Sequence, residues 1–362
     1  MTIENKIKLL VFTPSLQCGG SEKFVSLLCN HINTDEFIVC LVVLNNTAPF
    51  YTIENKNIEL IDLKAGRVRS SLFRLKKVIQ EFGPDIVFST ANHLNLYFAI
   101  FRKHFPNEIK FLARESSIVS INNQRTAMPR LYNLLVKKYY RRFDSILCQS
   151  MYMQQDLIHN YRIPANKTVV VYNAVEEMPG LKTVNINKHS GRVYKFITVA
   201  RLSEEKGIER LIHAVGLLSV SFSFYIIGSG NKKDELQKLI HELGLQENIF
   251  LQGEKAEPFS GMEDADLFLN GSYYEGFPNV LLEAGMLGIP VIAFNAPGGI
   301  SEIITDGENG ILVDDNDILG FATAINKGLS ADFSRDKIIE STQTRFSVNA
   351  MLPKVEDLLR SL

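Results

Sequence analysis

The chain has 362 residues, a length that bounds it to about two domains, each with its own core. Its 46% hydrophobic and 22% charged residues exclude a disordered polymer, and a net charge of −1 argues against a nucleic-acid binder. The four cysteines (Cys18, Cys29, Cys40 and Cys148) contain no CxxC pair, so neither a metal knuckle nor a disulfide framework is indicated and a reduced, cytoplasmic setting is expected. Met1–Lys8 lacks a signal-peptide pattern, and no apolar run approaches the ~18–20 residues of a membrane span. The protein is therefore expected not to cross a membrane, although it can lie against the inner face of one.

The near-neutral total hides an asymmetry. Residues 1–180 hold 22 Lys/Arg against 15 Asp/Glu (+7), and residues 181–362 hold 17 against 25 (−8). Halves of opposite sign point either to different partners or to mutual attraction.

In chain order, apolar runs alternate with helical patterns in a βαβ rhythm. The first half predicts strands at Ile7–Thr13, Phe37–Leu44, Ile58–Asp62, Asp85–Ser89, Ile109–Ala113, Ser145–Gln149 and Thr168–Val171. Between them the period predicts helices at Ser21–Ile32, Ser70–Phe82, Leu94–His104, Pro129–Phe143 and Met151–Tyr161. Glu176–Arg192 is polar, carries Pro179, Gly180 and Gly191, and has no period, which marks it as the interdomain linker. A second series follows, with strands at Tyr194–Ala200, Phe222–Ile227, Ile249–Leu251, Leu267–Asn270, Val291–Phe294 and Ile311–Val313. Its helices are expected at Ile208–Leu218, Lys232–Leu243, Asn279–Leu287, Ile300–Thr305 and Ile318–Leu329. The amphipathic Val348–Leu362 is expected to pack back across the junction. The fold class that follows is α/β: two doubly wound, Rossmann-like domains facing each other across a cleft, with ligands at the carboxyl ends of the strands.

The segment Glu275-Gly-Phe-Pro-Asn-Val-Leu-Leu-Glu283 carries the most chemical information. A loop glutamate precedes a helix opened by Pro278 and Asn279, and Glu283 falls in its second turn. The amides of Asn279, Val280 and Leu281 are expected to point out of the helix N-terminus, which suits a phosphate, while the carboxylates suit sugar hydroxyls. A nucleotide-sugar asks for both. Upstream, Arg201 stands at a strand's carboxyl end and Lys206 five residues on. Together they could neutralise a diphosphate and stabilise it as a leaving group, or they could pair locally with Glu204 and Glu205. Cys18-Gly19-Gly20-Ser21-Glu22 lets backbone approach a ligand, with Ser21 as the expected helix cap. Gly228-Ser229-Gly230 is a lone G-x-G, and Pro297-Gly298-Gly299 repeats the loop-to-helix pattern beside the same cleft. Asp264-Ala265-Asp266 matches a metal-holding D-x-D, but two solvated acids at a strand entry explain it more simply.

These residues resemble the retaining family 4 glycosyltransferases of GT-B fold, the "group 1" enzymes of bacterial surface polysaccharides. The resemblance is strong across residues 195–315 and looser before. It implies an N-terminal acceptor-binding domain over 1–175, with 348–362 packing back onto it, and a C-terminal donor-binding domain over 176–347. It implies that Arg201 and Lys206 bind the donor diphosphate, that Glu275 contacts the transferred sugar and that Glu283 holds the ribose hydroxyls. Gly19 and Gly20 would approach the donor from the other domain, and the base would lie near Gly228 and the loop from Gly253 to Pro258. A UDP-sugar donor, a saccharide or lipid-linked acceptor, retention of configuration, no metal and no cofactor complete that expectation. A GT-B nucleotide-sugar epimerase and a non-catalytic nucleotide-sugar binder remain as alternatives.

One departure stands out. Where many relatives carry a histidine, this chain reads Ala113-Arg114-Glu115-Ser116-Ser117. Arg114 and Glu115 are candidates for contact with acceptor or donor, or for a local ion pair, and His93 is a second candidate for acceptor contact. The helix over 129–143 sets Arg130, Lys137 and Arg141 in one stripe, with Lys138 and Arg142 beside it and an apolar side of Leu131, Leu134, Leu135 and Tyr139. Such a helix can rest on an anionic membrane or simply face a core.

Overall fold

The computed structural model describes residues 6–66, 68–176 and 191–362, with the backbone alone for 68–72. The expected linker Glu176–Arg192 therefore lies mostly outside the described residues. Two compact units emerge, Met1–Ala174 together with Val348–Leu362, and Val175–Ser347.

The first unit runs β1 (Ile7–Thr13), α1 (Gly20–His31), β2 (Phe37–Val43), β3 (Glu59–Asp62), α2 (Val68–Phe82), β4 (Ile86–Ser89) and α3 (Asn92–Phe101). It continues with β5 (Lys110–Glu115), α4 (Val119–Gln124), α5 (Pro129–Tyr139), β6 (Ser145–Cys148), α6 (Met151–Tyr161) and β7 (Thr168–Val170). Its sheet is parallel throughout, in the order β3-β2-β1-β4-β5-β6-β7. Leu9–Phe12 and Val39–Val43 are buried without interruption, because parallel strands covered by helices on both faces need apolar side chains on both faces.

The second unit runs β8 (Tyr194–Val199), α7 (Ile208–Val215), β9 (Phe222–Ile227), α8 (Lys233–Glu242), β10 (Ile249–Gly253) and β11 (Leu267–Asn270). Then come α9 (Asn279–Met286), β12 (Val291–Phe294), α10 (Ile300–Ile303), β13 (Gly310–Val313), α11 (Ile318–Ser330) and α12 (Arg335–Phe346). This sheet is also parallel, ordered β10-β9-β8-β11-β12-β13. In both sheets the order reverses beside the first strand, between β1 and β4 and between β8 and β11. Such a switch point opens a crevice at the strands' carboxyl ends.

The last helix, α13 (Val348–Arg360), belongs to the first unit, where Met351, Val355, Leu358 and Leu359 share a core with Leu27, Leu28 and Val39. Glu356 Oε1 accepts from the Asn33 amide at 2.9 Å, and Arg360 Nε donates to Glu36 Oε2 at 2.8 Å.

Several expected helices end early, among them the one over 208–218, which stops at Val215, and the one over 300–305, which stops at Ile303. The one over 94–104 stops at Phe101 and tightens into a 3-10 turn over Arg102–His104, and the one over 129–143 stops at Tyr139 before the turn Tyr140–Arg142. Two helices went unpredicted. In α4 only Val119 and Asn123 are buried, too little for an apolar period. In α12 the buried face is Ile338, Thr342 and Phe346, with a threonine where the pattern needs an apolar residue. Thr342 hides its hydroxyl by donating to the Ile338 carbonyl at 2.7 Å.

α12 matters because it braces α9. A Cβ on Gly285 would run into Thr342 Oγ1, so the two backbones approach as closely as glycine allows, and the Phe277 and Phe346 rings meet edge-on at 5.6 Å. Gly285→Ala should gain about 1 kcal/mol of helix propensity but lose about 1–3 kcal/mol to overpacking. Urea unfolding should therefore show a net destabilisation that disappears when Thr342→Ala is added.

Candidate functional site

The carboxyl ends of the second sheet's strands gather five of the expected residues, Arg201, Lys206, Gly228, Gly253 and Glu275. Past β8, the Ala200 amide donates to the Ile227 carbonyl at 3.0 Å. Gly228, at φ +143°, lies so close that a side chain there would strike the Ala200 carbonyl. The Gly228 amide in turn donates to Gly253 O at 2.8 Å, so those two candidates sit side by side at the ends of β9 and β10. Arg201 then leaves the sheet with its side chain 76% exposed, paired with Glu205 at 3.2 Å. Lys206 closes the short turn Glu204–Lys206, but it does not pair with either glutamate of that turn. Its Nζ lies 2.6 Å from Glu275 Oε1, with the two side chains only 20% and 11% exposed.

Glu275 is held on every side. Ser272 Oγ donates to the same Oε1 at 2.7 Å, the Glu275 amide donates to Pro297 O at 3.0 Å, and its carbonyl accepts from Gly299 N at 3.3 Å. Gly298, at φ +123°, has no room for a side chain against the Glu275 carbonyl. The helix after Pro297-Gly298-Gly299, α10, is a single turn, and the loop braces the Glu275 backbone.

One correction concerns α9. The Leu281 amide donates to the Pro278 carbonyl at 3.1 Å, so one of the three amides expected to face a ligand is already used. Asn279, Val280 and Glu283 are half-buried on the same helix. Asp264 and Asp266 are engaged by cations, Lys195 and Arg192 respectively, and Asp266 Oδ2 also accepts from the Lys195 amide at 2.8 Å. Among the described residues no three His, Cys, Asp or Glu side chains converge on a point, and no helix is long and apolar enough to cross a membrane.

At the first sheet's switch point, side chains bond across from one strand end to the next. Gly19 caps α1 without a side-chain bond, and Ser21 is not the cap that the sequence predicts. Its hydroxyl instead donates to the Thr90 carbonyl at 2.7 Å, across the switch between β1 and β4. The Glu22 carboxylate folds back over Gly19, where any side chain would meet Oε2. Burial raises the Glu22 pKa, against its own backbone amide and Arg114.

Arg114 and Glu115 are both fully buried and do not pair, since successive residues of β5 point to opposite faces of the sheet. Arg114 lies over the Phe24 ring at 4.1 Å and donates to Asn173 Oδ1 at 2.7 Å and to Ser21 Oγ at 3.4 Å. Burial presses its pKa down to about 9, still above neutrality, so it stays charged. Glu115 Oε1 accepts from Asn95 Nδ2 at 2.8 Å, while Oε2 has no hydrogen-bond partner. Asn95 also reaches the Arg114 carbonyl at 3.0 Å, and Gln149 Nε2 reaches the Glu115 carbonyl at 3.0 Å. With no accessible atom, Arg114 and Glu115 form a buried polar network, which corrects both the ion-pair and the substrate-contact expectations. The sequence signal for it was Asn95, a polar residue inside the otherwise apolar run Leu94–Phe101. His93 is exposed at the second position of α3 and is not brought to either residue.

Residues 182–345 match the family model described as "Glycosyl transferases group 1", and residues 18–177 match "Glycosyltransferase Family 4". The chain belongs to the family 4, group 1 glycosyltransferases. It is 29% identical over 356 residues to a Campylobacter jejuni N-acetylgalactosamine-N,N'-diacetylbacillosaminyl-diphospho-undecaprenol 4-alpha-N-acetylgalactosaminyltransferase, covering 95% of this chain and 94% of the relative. Among solved structures, the lipopolysaccharide outer core galactosyltransferase WaaB superposes with a TM-score of 0.76 at 20% identity, covering 98% of this chain and 99% of that one. Anabaena HepE in complex with UDP-glucose superposes with a TM-score of 0.80 at 19% identity, covering 98% and 100%. The fold of this glycosyltransferase is thus GT-B.

Burial raises the Glu115 pKa from 4.5 to about 7, while its hydrogen bond with Asn95 pulls it down. The neutral acid is the form that the core tolerates. Its contribution is complete below the unfolded value and is lost as pH rises through the folded one. Glu115→Gln should therefore gain stability relative to wild type as pH rises from 5 to 8, read as the difference in thermal midpoint. A difference that stays flat across that range would mean that Glu115 is already ionised in the folded protein.

Proposed function

We propose that this glycosyltransferase moves a hexose or N-acetylhexosamine from a UDP-sugar to a saccharide or lipid-linked saccharide of a surface polysaccharide, with retention and without a metal. The observation that carries the reading is the Lys206–Glu275 pair at the second sheet's switch point. Lys206 has three N–H donors and gives one to Glu275, so two remain for a phosphate. Glu275 Oε1 is taken by Lys206 and Ser272, which leaves Oε2 for a sugar hydroxyl. Arg201, exposed and weakly paired, can swing onto the diphosphate at little cost. Charge builds on that diphosphate as the bond from the sugar C1 breaks, and two cations held near it lower the barrier. The acceptor oxygen bonds to C1 on the same face, and its proton passes to the departing phosphate. Glu283 on α9 would hold the ribose, and Gly228 with Gly253 would border the base. Gly19 and Gly20 would approach the donor, and His93, exposed at the start of α3, remains the acceptor-side candidate. The galactosaminyltransferase name of the Campylobacter relative and the UDP-glucose complex of HepE support a UDP-sugar, and the relative's undecaprenol-linked substrate supports a lipid-linked acceptor.

Saturation-transfer NMR across UDP-, GDP- and ADP-sugars tests the donor class, with UDP-sugars expected to bind. With the best donor and an acceptor, Lys206→Ala should lower kcat about 10²–10³-fold, as the loss of one transition-state charge contact does. EDTA should leave the rate unchanged, and the product anomer should match the donor. An epimerised sugar formed from donor alone would instead favour the epimerase reading.

The same proposal seats the acceptor side on an anionic membrane. From Ser116 to Phe143 the chain carries Arg125, Arg130, Lys137, Lys138, Arg141 and Arg142 and no Asp or Glu. Leu131 and Leu134, expected on a separate apolar side, are 44% and 64% exposed, and Met128 is 58% exposed. At about 100° per residue, Leu131, Leu134 and Lys138 share one solvent face. Lysines that reach past exposed leucines suit the boundary of headgroups and acyl chains. Arg142 drops out of this set, because it donates to the Ala99 and Ile100 carbonyls at 3.2 and 2.8 Å. At about 1 kcal/mol per cation, replacing Lys137, Lys138 and Arg141 with Ser should weaken sedimentation with anionic vesicles about 100-fold. Unchanged sedimentation would remove the membrane from the proposal.

A further inference from the structure

Arg210 appears in none of the motifs above. It is the third residue of α7, and its side chain is 3% exposed. The guanidinium lies between two rings, 4.1 Å from the Tyr273 centroid and 3.9 Å from that of Phe294. Its Nε donates to the Gly271 carbonyl at 2.5 Å, Nη2 donates to the Ser272 carbonyl, and Nη1 reaches Asp315 Oδ1 at 2.7 Å and Asn316 Oδ1 at 3.3 Å. One planar group thus ties three strand-end segments together: the start of its own helix after β8, the loop after β11 and the turn after β13. The fork geometry is specific to arginine, because lysine offers a point charge that cannot reach two adjacent carbonyls and a carboxylate at once.

We infer that Arg210 is the positioning residue of the donor site, acting through Ser272 to set Glu275 against Lys206. The carbonyl of Ser272 is held by Arg210, and the hydroxyl of the same residue donates to Glu275 Oε1 at 2.7 Å. Two further bonds seat the loop on the Lys206 side: the Tyr273 amide donates to Glu205 O at 2.9 Å, and the Tyr273 hydroxyl donates to Glu209 at 2.9 Å. Without the fork, the Gly271 and Ser272 carbonyls lose their shared donor and the loop is free to drift. A shift of about 1 Å in a group that orients substrate costs on the order of 100-fold in rate. Arg210 itself touches no substrate.

The inference rests on Glu275 being a donor-site residue, so the test has one arm with activity and one without. In the first arm, Arg210→Lys should lower kcat 10–100-fold with KM for the UDP-sugar within threefold. In a Glu275→Gln background the same change should cost less than twofold, since coupled residues are not additive. An equal loss in both backgrounds would reduce Arg210 to a general stabiliser and overturn the inference. In the second arm, hydrogen exchange is measured without substrate, and the amides of residues 271–276 should exchange faster in Arg210→Lys while those of β8 and β9 do not change. Unchanged exchange at 271–276 also overturns it. Faster exchange in a protein that turns over no nucleotide-sugar would sink the proposed reaction and leave the positioning role standing. Should Arg210→Lys fail to fold, Asp315→Ala releases one end of the same guanidinium and is read in the same way.

Discussion

The carbonyls of Gly271 and Ser272 are buried at the end of β11, and a buried carbonyl without a donor costs about 1–3 kcal/mol. Arg210 meets both, and the Ser272–Glu275–Lys206 cluster hangs from that solution. The guanidinium is itself a buried charge, tolerable because Asp315 and two aromatic faces accompany it. From there the order is mechanical: Ser272 holds Glu275, Glu275 holds Lys206, and Gly298 fits where nothing larger could. Lys206–Glu275 and Arg201–Glu205 look alike as ion pairs but differ in kind. The first is mostly shielded and geometrically fixed, whereas Arg201 is 76% exposed and its pair is worth no more than about 1 kcal/mol.

The two switch points make a contrast. They are built by the same strand order, yet their side chains are arranged differently. At the first, Glu22 lies over Gly19, and Ser21 bonds across to Thr90 while accepting from the buried Arg114. At the second, Glu275 is fixed from behind and keeps one oxygen uncommitted. The topology creates a crevice in both cases, and the side chains around it differ in how far they bond to one another.

Much of the fold was legible because parallel strands buried on both faces read as unbroken apolar runs, as Leu9–Phe12, Leu267–Leu269 and Val291–Phe294 do. The helix α12 was hidden because its central contact is a threonine that satisfies its hydroxyl within the helix, which no apolar period reveals. In the site, Glu275 and Glu283 were legible together because eight residues separate them in one loop and helix. The Lys206–Glu275 pair was not, because the two stand 69 positions apart and the sequence offered Glu204 and Glu205 as nearer partners. Ser21 failed in the same way: a local rule predicted a cap, and a carbonyl 69 residues away took the hydroxyl. Arg114 and Glu115 could have been separated on paper, since neighbours on a strand face opposite ways.

The surface helix α5 closes the account of the first unit's charge. Its exposed leucines are not a packing failure, because its other side is fixed. Val136 is buried, and Tyr140, in the turn that follows, sits fully buried near Glu115, burial first and then the carboxyl's charge raising the phenol's pKa. Rotating the helix to hide Leu131 and Leu134 would pull Tyr140 away from Glu115, whose Oε2 already lacks a hydrogen-bond partner. The buried network thus holds α5 in the one orientation that turns leucines and lysines outward together.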